Sequence, residues 1–178
     1  ELAVKSYQKA LEFKPDYVKA QYSLGIMFQD LGQFEAAINC YEMVLAIKPD
    51  FADAYNNLGV AFLNLDQLDK AVKSYKAALK LNPNFVEAIN NLGIGLYNLG
   101  QMEDAIKSYE KVIAIQPDFV KAYNNLGNAL MELGQLDEAL ESYKAALKLK
   151  PDFVEAINNL GITFYKLHQL DDAMNCYD

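Results

Sequence analysis

Proline recurs in this chain at a constant interval, which constrains the fold more than any other feature. The five prolines are the only ones among 178 residues, and each follows the previous one by 34 positions: Pro15, Pro49, Pro83, Pro117 and Pro151. Proline ends a helix because it lacks the N–H donor and clashes with the preceding turn. The chain is therefore predicted to be one short unit repeated end to end. Such a unit holds two helices but cannot enclose a core alone, so stacked pairs are expected.

A helix pair is visible in the pattern of a single copy. In residues 18–51, one group of apolar residues falls within about 80° on a helical wheel: Ala20, Leu24, Met27, Phe28 and Leu31. Gly32 supplies a left-handed turn after this helix. A second apolar face then runs until Pro49 stops the helix: Ala37, Ile38, Tyr41, Val44 and Leu45.

Other positions recur with the same period and have predicted structural roles. The residue after each proline is an expected N-cap of the next helix: Asp16, Asp50, Asn84, Asp118 and Asp152. Gly25 and its equivalents cost roughly 1 kcal/mol each inside the first helix, so we expect a close approach of the partner helix at Ala37 and its equivalents. The aromatic after each cap is expected to staple the repeats: Tyr17, Phe51, Phe85, Phe119 and Phe153. A row of tyrosines is expected in the core: Tyr7, Tyr41, Tyr75, Tyr109, Tyr143 and Tyr177.

Each full copy contains, in this order, Leu-Gly, an aromatic residue or leucine, a small alanine, an aromatic residue and a terminal proline. This pattern resembles the tetratricopeptide repeat, and the resemblance covers the whole chain. The resemblance implies an all-α fold, a right-handed superhelix of antiparallel helix pairs. Two features depart from the pattern: Gln21, Tyr55, Ile89, Tyr123 and Ile157 replace the usual Trp, and Asp66 and His168 replace the turn glycine. Stretches such as residues 145–153 and 122–127 further resemble the arrays of O-linked N-acetylglucosamine transferases.

We expect a single array with boundaries set by the period. Residues 1–17 form a partial repeat containing a second helix, residues 18–51, 52–85, 86–119 and 120–153 form full repeats, and residues 154–178 form a truncated repeat. Both end helices are expected to expose apolar surface that a polar-faced capping repeat would cover. Head-to-tail self-association is therefore predicted.

Pairs of asparagines on the first helices are the most function-like feature of the sequence. The first members are Asn56, Asn90, Asn124 and Asn158, and the second members are Asn57, Asn91, Asn125 and Asn159. Asparagine is a poor helix former, and its amide offers both a donor and an acceptor to the backbone of an extended peptide. The resemblance implies that the second members contact peptide in a concave groove. The alternative is that these amides bond to neighbouring helices and link repeat to repeat.

Other residues are predicted to share this groove. Asn128 joins the amides, and four apolar residues stand between them: Leu63, Tyr97, Met131 and Tyr165. These four either offer shallow pockets to ligand side chains or pack between adjacent first helices. Lys19 and Lys121 are the groove cations in the predicted site. A clamp for a C-terminal carboxylate is not expected, because the chain has no arginine.

Composition excludes several function classes. The net charge of −8 and the absence of arginine argue against nucleic acid, and no apolar run is long enough for a membrane span. Cys40 and Cys176 lie four repeats apart, too far to pair, so they are predicted to be free thiols, which favours a cytoplasmic location. His168 is the only histidine and is expected in a surface turn. No catalytic residues, metal ligands or cofactor motifs are predicted.

Three functions follow as hypotheses. The first is a scaffold, not an enzyme, that binds a protein or peptide along the Asn-lined groove. The second is a substrate-presenting arm of a larger enzyme resembling an O-linked N-acetylglucosamine transferase. The third is a structural protein that stacks head to tail.

Overall fold

The computed structural model describes residues 2–14 and 16–176, and every regular element in them is a helix. The helices are α1 Leu2–Phe13, α2 Val18–Asp30, α3 Phe34–Ile47, α4 Ala52–Asn64, α5 Leu68–Leu81, α6 Val86–Asn98, α7 Met102–Ile115, α8 Val120–Glu132, α9 Leu136–Leu149, α10 Val154–Lys166 and α11 Leu170–Asn175. The predicted all-α fold is confirmed. Pro15 and Tyr177, which the sequence assigns to a helix stop and to the core, lie outside the described residues.

Each even-numbered helix from α2 to α10 starts a repeat, and within each unit the following helix packs back against it across a short turn. α2 contacts α3, α4 contacts α5 and α8 contacts α9. A first helix also packs on the second helix before it, as α4 does on α3 and α8 does on α7. The chain divides into two compact units, residues 1–95 (unit 1) and residues 96–178 (unit 2). Each unit has its own apolar core.

The turn between the two helices of a repeat is the same backbone motif in all five copies. Gly32, Gly100 and Gly134 have φ between 71° and 75°, and Asp66 and His168 keep the left-handed form at 56° and 61°. In the first copy Gly32 N–H donates to the Gln29 carbonyl at 3.0 Å, and Gln33 N–H donates to the Phe28 carbonyl at 2.8 Å. This pair of bonds is the Schellman ending, which satisfies the last helical carbonyls.

The predicted N-caps are wrong. Asp50, Asp118 and Asp152 lie two residues before the helices, and the capping position belongs to Phe51, Phe119 and Phe153, without a side-chain bond. Asp16 and Asn84 likewise precede α2 and α6 by two residues. The reason is a β-turn: Phe119 N–H donates to the Gln116 carbonyl at 3.1 Å, which places Pro117 and Asp118 at its centre. Proline favours the first central position of such a turn, so the acidic residue is held inside the turn.

Three of the interior glycines do lie at a close approach between helices, but a tyrosine ring contacts them where an alanine was expected. A Cβ placed on Gly25 would lie 2.6 Å from Tyr41 Cε1, and on Gly59 it would lie 2.5 Å from Tyr75 Cε1. Gly127 has the same relation to Tyr143. Glycine is needed because any side chain would occupy the space of the ring. The helix-propensity cost therefore allows a large aromatic to be buried completely.

The predicted tyrosine row is confirmed as core in α3, α5, α7 and α9, whereas Tyr7 of α1 is only partly buried. Tyr41, Tyr75 and Tyr143 have no exposed surface, and Tyr109 is only 2% exposed. In unit 1 the core joins Tyr41 and Tyr75 with Leu58 and Phe62, and in unit 2 it joins Tyr143 with Leu130 and Leu160.

The hydroxyl groups of these tyrosines differ in their partners. Tyr41 Oη donates to Gln29 Oε1 at 3.2 Å, and Tyr143 Oη donates to Asn128 Oδ1 at 2.8 Å. Tyr75 Oη is buried and has no partner among the described residues. The positions that supply acceptors in the other repeats hold apolar residues next to Tyr75: Leu63 corresponds to Gln29, and Val60 corresponds to Asn128.

Replacing Asp66 with glycine should stabilise unit 1. A non-glycine residue with a left-handed backbone costs about 1–2 kcal/mol, and Asp66→Gly removes that strain without removing a contact of the turn. We expect the free energy of unfolding in urea to rise by about 1 kcal/mol. Gly32→Asp is the matched reversal and should lower it by a similar amount; a decrease for Asp66→Gly would contradict the strain argument.

Replacing tyrosine with phenylalanine should have opposite effects on stability at Tyr75 and at Tyr143, because only the Tyr143 hydroxyl has a partner. Tyr75→Phe removes a buried hydroxyl that has no partner, so stability should be unchanged or increase by up to about 1 kcal/mol. Tyr143→Phe deletes a bond to Asn128 and should cost about 1 kcal/mol. Denaturation midpoints of the two variants test this, and equal losses at both sites would show that the Tyr75 hydroxyl is bonded in solution.

Candidate functional site

The predicted site residues lie on the first helices and differ in exposure. Asn56, Asn90 and Asn124 are buried, at 6–7% exposed, while Asn158 is exposed. The second members are partly exposed, as is Asn128: Asn57, Asn91, Asn125 and Asn159. Leu63, Tyr97 and Met131 are partly buried, whereas Tyr165, Lys19 and Lys121 are exposed.

In unit 1 the amides form bonds from one repeat to the next. Asn57 Nδ2 donates to Tyr22 Oη at 2.9 Å, and Asn91 Nδ2 donates to Asn56 Oδ1 at 3.0 Å. Asn56 Nδ2 in turn donates to Asn57 Oδ1 at 3.3 Å. The pKa of Tyr22 is raised, first because burial disfavours the phenolate and second because Asp53 is near. Tyr22 therefore stays protonated and neutral as a partner of Asn57.

Unit 2 repeats the bond and extends it. Asn159 Nδ2 donates to Asn124 Oδ1 at 3.1 Å and to Asn128 Oδ1 at 2.9 Å. The Tyr143 hydroxyl also donates to Asn128 Oδ1, so one amide oxygen receives two donors. Thr163 Oγ1 completes the region by donating to the Asn159 carbonyl at 2.7 Å. The buried polar groups of this region are thereby paired.

One constant sequence spacing accounts for the hydrogen bonds between repeats. The second asparagine of one repeat contacts the residue 35 positions earlier, which is the first asparagine of the preceding repeat. Tyr22 occupies that position in the first full repeat and accepts the equivalent bond. The bonds of the alternative structural role are thus present in both units. Tyr22 and Tyr143 were not predicted as partners of the asparagines, although a spacing of one repeat plus one residue identifies Tyr22.

The apolar members of the predicted site pack mainly inward. Leu63 packs against the core of unit 1, and Met131 packs against the core of unit 2. The pKa of Tyr97 is raised by burial and then by Glu132. Tyr165 is different, because two thirds of its surface is exposed and it lines a cavity of about 470 Å³ with Ile162, Leu170 and Met174.

Neither cysteine is paired, as predicted. Burial raises the pKa of Cys40 to about 11, only partly opposed by a bond from Gln21, so its thiol stays protonated at neutral pH. Within residues 2–14 and 16–176, no group of three His, Cys, Asp or Glu side chains has an arrangement that fits a metal ion. The helices of the same residues lack the combination of length and apolar character that crossing a bilayer requires.

Comparisons with solved structures give the same fold. A crystal structure of MamA is 31% identical, with a TM-score of 0.79 over 83% of this chain and 86% of that one. MamA 41-end from Desulfovibrio magneticus RS-1 is 24% identical over 90% of each chain, with a TM-score of 0.84. YrrB, described as a TPR protein with an unusual peptide-binding site, is 21% identical over 97% and 89%, with a TM-score of 0.78. The last two show the fold alone. The search of curated proteins found no significant match.

Family models match most of the sequence. A model described as "TPR repeat" matches residues 1–32, 27–66, 95–134 and 127–168, and one described as "Tetratricopeptide repeat" matches residues 52–85. The closer resemblance to the arrays of O-linked N-acetylglucosamine transferases stays a prediction. The helix pairs, the Schellman turns and the glycine–tyrosine contacts recur with the period that these models describe. The chain belongs to the tetratricopeptide-repeat family.

Proposed function

We propose that this chain is a protein-interaction scaffold that binds extended segments of a partner protein on its asparagine-lined surfaces. We call these surfaces the Asn faces: in unit 1 Tyr22, Asn56, Asn57 and Asn91, and in unit 2 Asn124, Asn125, Asn128 and Asn159. Support comes from membership of a family of repeat scaffolds and from the hydrogen-bonding capacity that Asn91 keeps at the surface. YrrB, a structure of the same fold, is described as having a peptide-binding site.

The observation that carries the proposal is the arrangement at Asn91. This side chain is partly exposed, and it uses a single N–H in a bond to the buried Asn56. A side-chain amide has two N–H donors and an oxygen that accepts two bonds. The remaining N–H and the oxygen match the alternating carbonyl and N–H groups of an extended backbone. The inward bond also fixes the orientation of the amide, which reduces the entropy lost on binding.

The same bond makes Asn91 important for stability. Removing its amide leaves the Asn56 oxygen buried without its donor, which costs about 1–3 kcal/mol. A test of binding must therefore measure folding at the same time. The alternative of a substrate-presenting enzyme arm stays a prediction. A cytoplasmic location is retained as part of the proposal because both thiols are free.

Asn91→Ala should weaken peptide binding about tenfold, because the lost bonds are worth about 1 kcal/mol or more. Peptides are first selected on the wild-type chain from a random library, and affinities are then measured by calorimetry at a temperature where circular dichroism shows both proteins folded. Asn125→Ala tests unit 2 in the same way. Asn39→Ala is the control, since Asn39 is exposed on α3, a second helix that contributes no residue to the Asn faces.

Unchanged affinity for both Asn91→Ala and Asn125→Ala would show that the amides only link repeats. Side-chain amide signals in NMR spectra provide an independent measurement. They should shift for the Asn faces when the selected peptide is added, and a shift confined to other helices would also contradict the proposal.

Self-association is a second candidate function, favoured by the apolar cavity between α10 and α11. Its lining includes Tyr165, Leu170 and Met174, each more than half exposed. In unit 1 the equivalent surface, between α4 and α5, is covered by α6, the first helix of the next repeat. Gly95 of α6 approaches Val72 of α5 so closely that a Cβ placed on Gly95 would lie 3.0 Å from Val72 Cγ2. A helix of a second copy would cover the α10–α11 cavity in the same way.

Met174→Glu should abolish any such self-association, because a carboxylate in an apolar contact carries a desolvation penalty. Sedimentation equilibrium at increasing concentration measures the change in mass. Met43→Glu is the control, because Met43 is similarly exposed on α3. A monomeric wild-type chain at high concentration, or equal association of both variants, would exclude this surface.

A further inference from the structure

A second groove lies in unit 2, on the side of α8 opposite to its Asn face. Tyr123, Leu126 and Leu130 form its floor, and on the helical wheel they point away from Asn124 and Asn128. α7 and α9 form its two walls. Two cavities, of about 390 and 660 Å³, lie side by side here and share lining residues, so they form one continuous depression.

The floor of this groove is apolar over about two helical turns. The step from Tyr123 to Leu130 covers roughly 10 Å along α8 at about 1.5 Å per residue. Ile106 and Ile113 of α7 extend the apolar lining, and both are only partly buried. The Tyr123 hydroxyl is already bonded to the Pro117 carbonyl at 3.1 Å, so the floor presents the ring rather than a polar group.

The walls carry carboxylates and no cation. Glu110 of α7 and Asp137, Glu138 and Glu141 of α9 line the cavities, and none of the lining residues is basic. Lys107, which does not line the cavities, pairs with Asp104 at 2.9 Å, and both of these side chains are more than half exposed. Lys144 pairs with Glu141 at 3.0 Å, but both side chains are at least half exposed, so this pair contributes little.

Helix electrostatics explain only part of this charge. Asp137 and Glu138 lie in the first turn of α9, where the helix dipole favours acidic residues. Glu110 and Glu141 lie in the middle of their helices, where it does not. Two repeats earlier, the positions of Glu138 and Glu141 hold Lys70 and Lys73, so the repeat fold itself does not require acidic residues there.

We propose that this groove binds a basic amphipathic helix of a partner protein. Two apolar side chains about one turn apart fill the two cavities, in the manner of a helix docked in a groove. Lysine or arginine side chains on both flanks of the apolar stripe pair with the carboxylates of α7 and α9. This surface is separate from the Asn face of unit 2, so the two ligands do not compete, and the inference does not depend on the proposed peptide binding.

The experiment uses a fluorescein-labelled, helix-forming peptide of about 16 residues, with two leucines four positions apart and lysines on both flanks of that stripe. Binding to the full chain is measured by fluorescence anisotropy at low and moderate salt. The control peptide has glutamate in place of each lysine and should not bind. The lysine peptide should bind in a single saturable step, more weakly as salt increases.

Two variants separate charge from shape. Glu138→Lys/Glu141→Lys should weaken binding about tenfold or more, since each reversed charge replaces an attraction by a repulsion. Ala145→Met fills part of the groove without changing charge and should also weaken binding at least about threefold, since the methionine occupies the space of an anchor. The introduced residue types already occupy the equivalent positions of other repeats, as Lys70, Lys73 and Met43, so the variants are expected to fold.

Glu35→Lys/Glu42→Lys on α3 is the matched control, with the same change in net charge and again one acidic residue from the first turn of its helix. It should alter affinity less than twofold. Equal weakening by both charge variants, or no effect of Ala145→Met, would show a non-specific attraction to an acidic protein and overturn the proposal. Loss of binding in Asn125→Ala with the groove variants unaffected would place the peptide on the Asn face and also overturn it.

Discussion

The contact between a tyrosine ring and an interior glycine sets the geometry of the described helix pairs. The ring of Tyr41, Tyr75 or Tyr143 occupies the space that a side chain on the facing helix would need. Burying a full tyrosine between two helices is favourable for the core, and the cost of glycine in a helix is smaller than the apolar burial gained. The Schellman turns then reverse the direction of the chain, which brings the tyrosine of the second helix against the glycine of the first helix.

This packing also determines where polar groups must go. When the ring of a tyrosine is buried between two helices, its hydroxyl group is buried with it and needs a hydrogen-bond partner. Gln29 and Asn128 supply acceptors for Tyr41 and Tyr143. Asn128 accepts a bond from Asn159 as well, so the core and the Asn face of unit 2 share one network. The stability of the fold and the orientation of the surface amides are consequently coupled.

Features that repeat in every copy serve the fold, whereas differences between copies distinguish one surface from another. Asn128 replaces an aliphatic residue of the other repeats and completes the network of unit 2. Glu138 and Glu141 replace lysines found two repeats earlier and make one groove acidic. In α8 the two kinds of surface lie on opposite sides of a single helix, so the two proposed binding regions of unit 2 do not overlap.

The sequence by itself determined the helix pairs, the left-handed turns and the tyrosine core, because proline, glycine and apolar periodicity act over short distances. It failed where two local preferences competed: Asp118 was expected to cap a helix, but the turn preference of Pro117 held it in a β-turn. The tertiary structure alone decided that a ring and not an alanine faces Gly25, Gly59 and Gly127. It also decided that Asn91 bonds to Asn56 and Asn159 to Asn124. Those partners depend on how far one repeat is displaced from the next, a quantity that periodicity along a single chain does not contain.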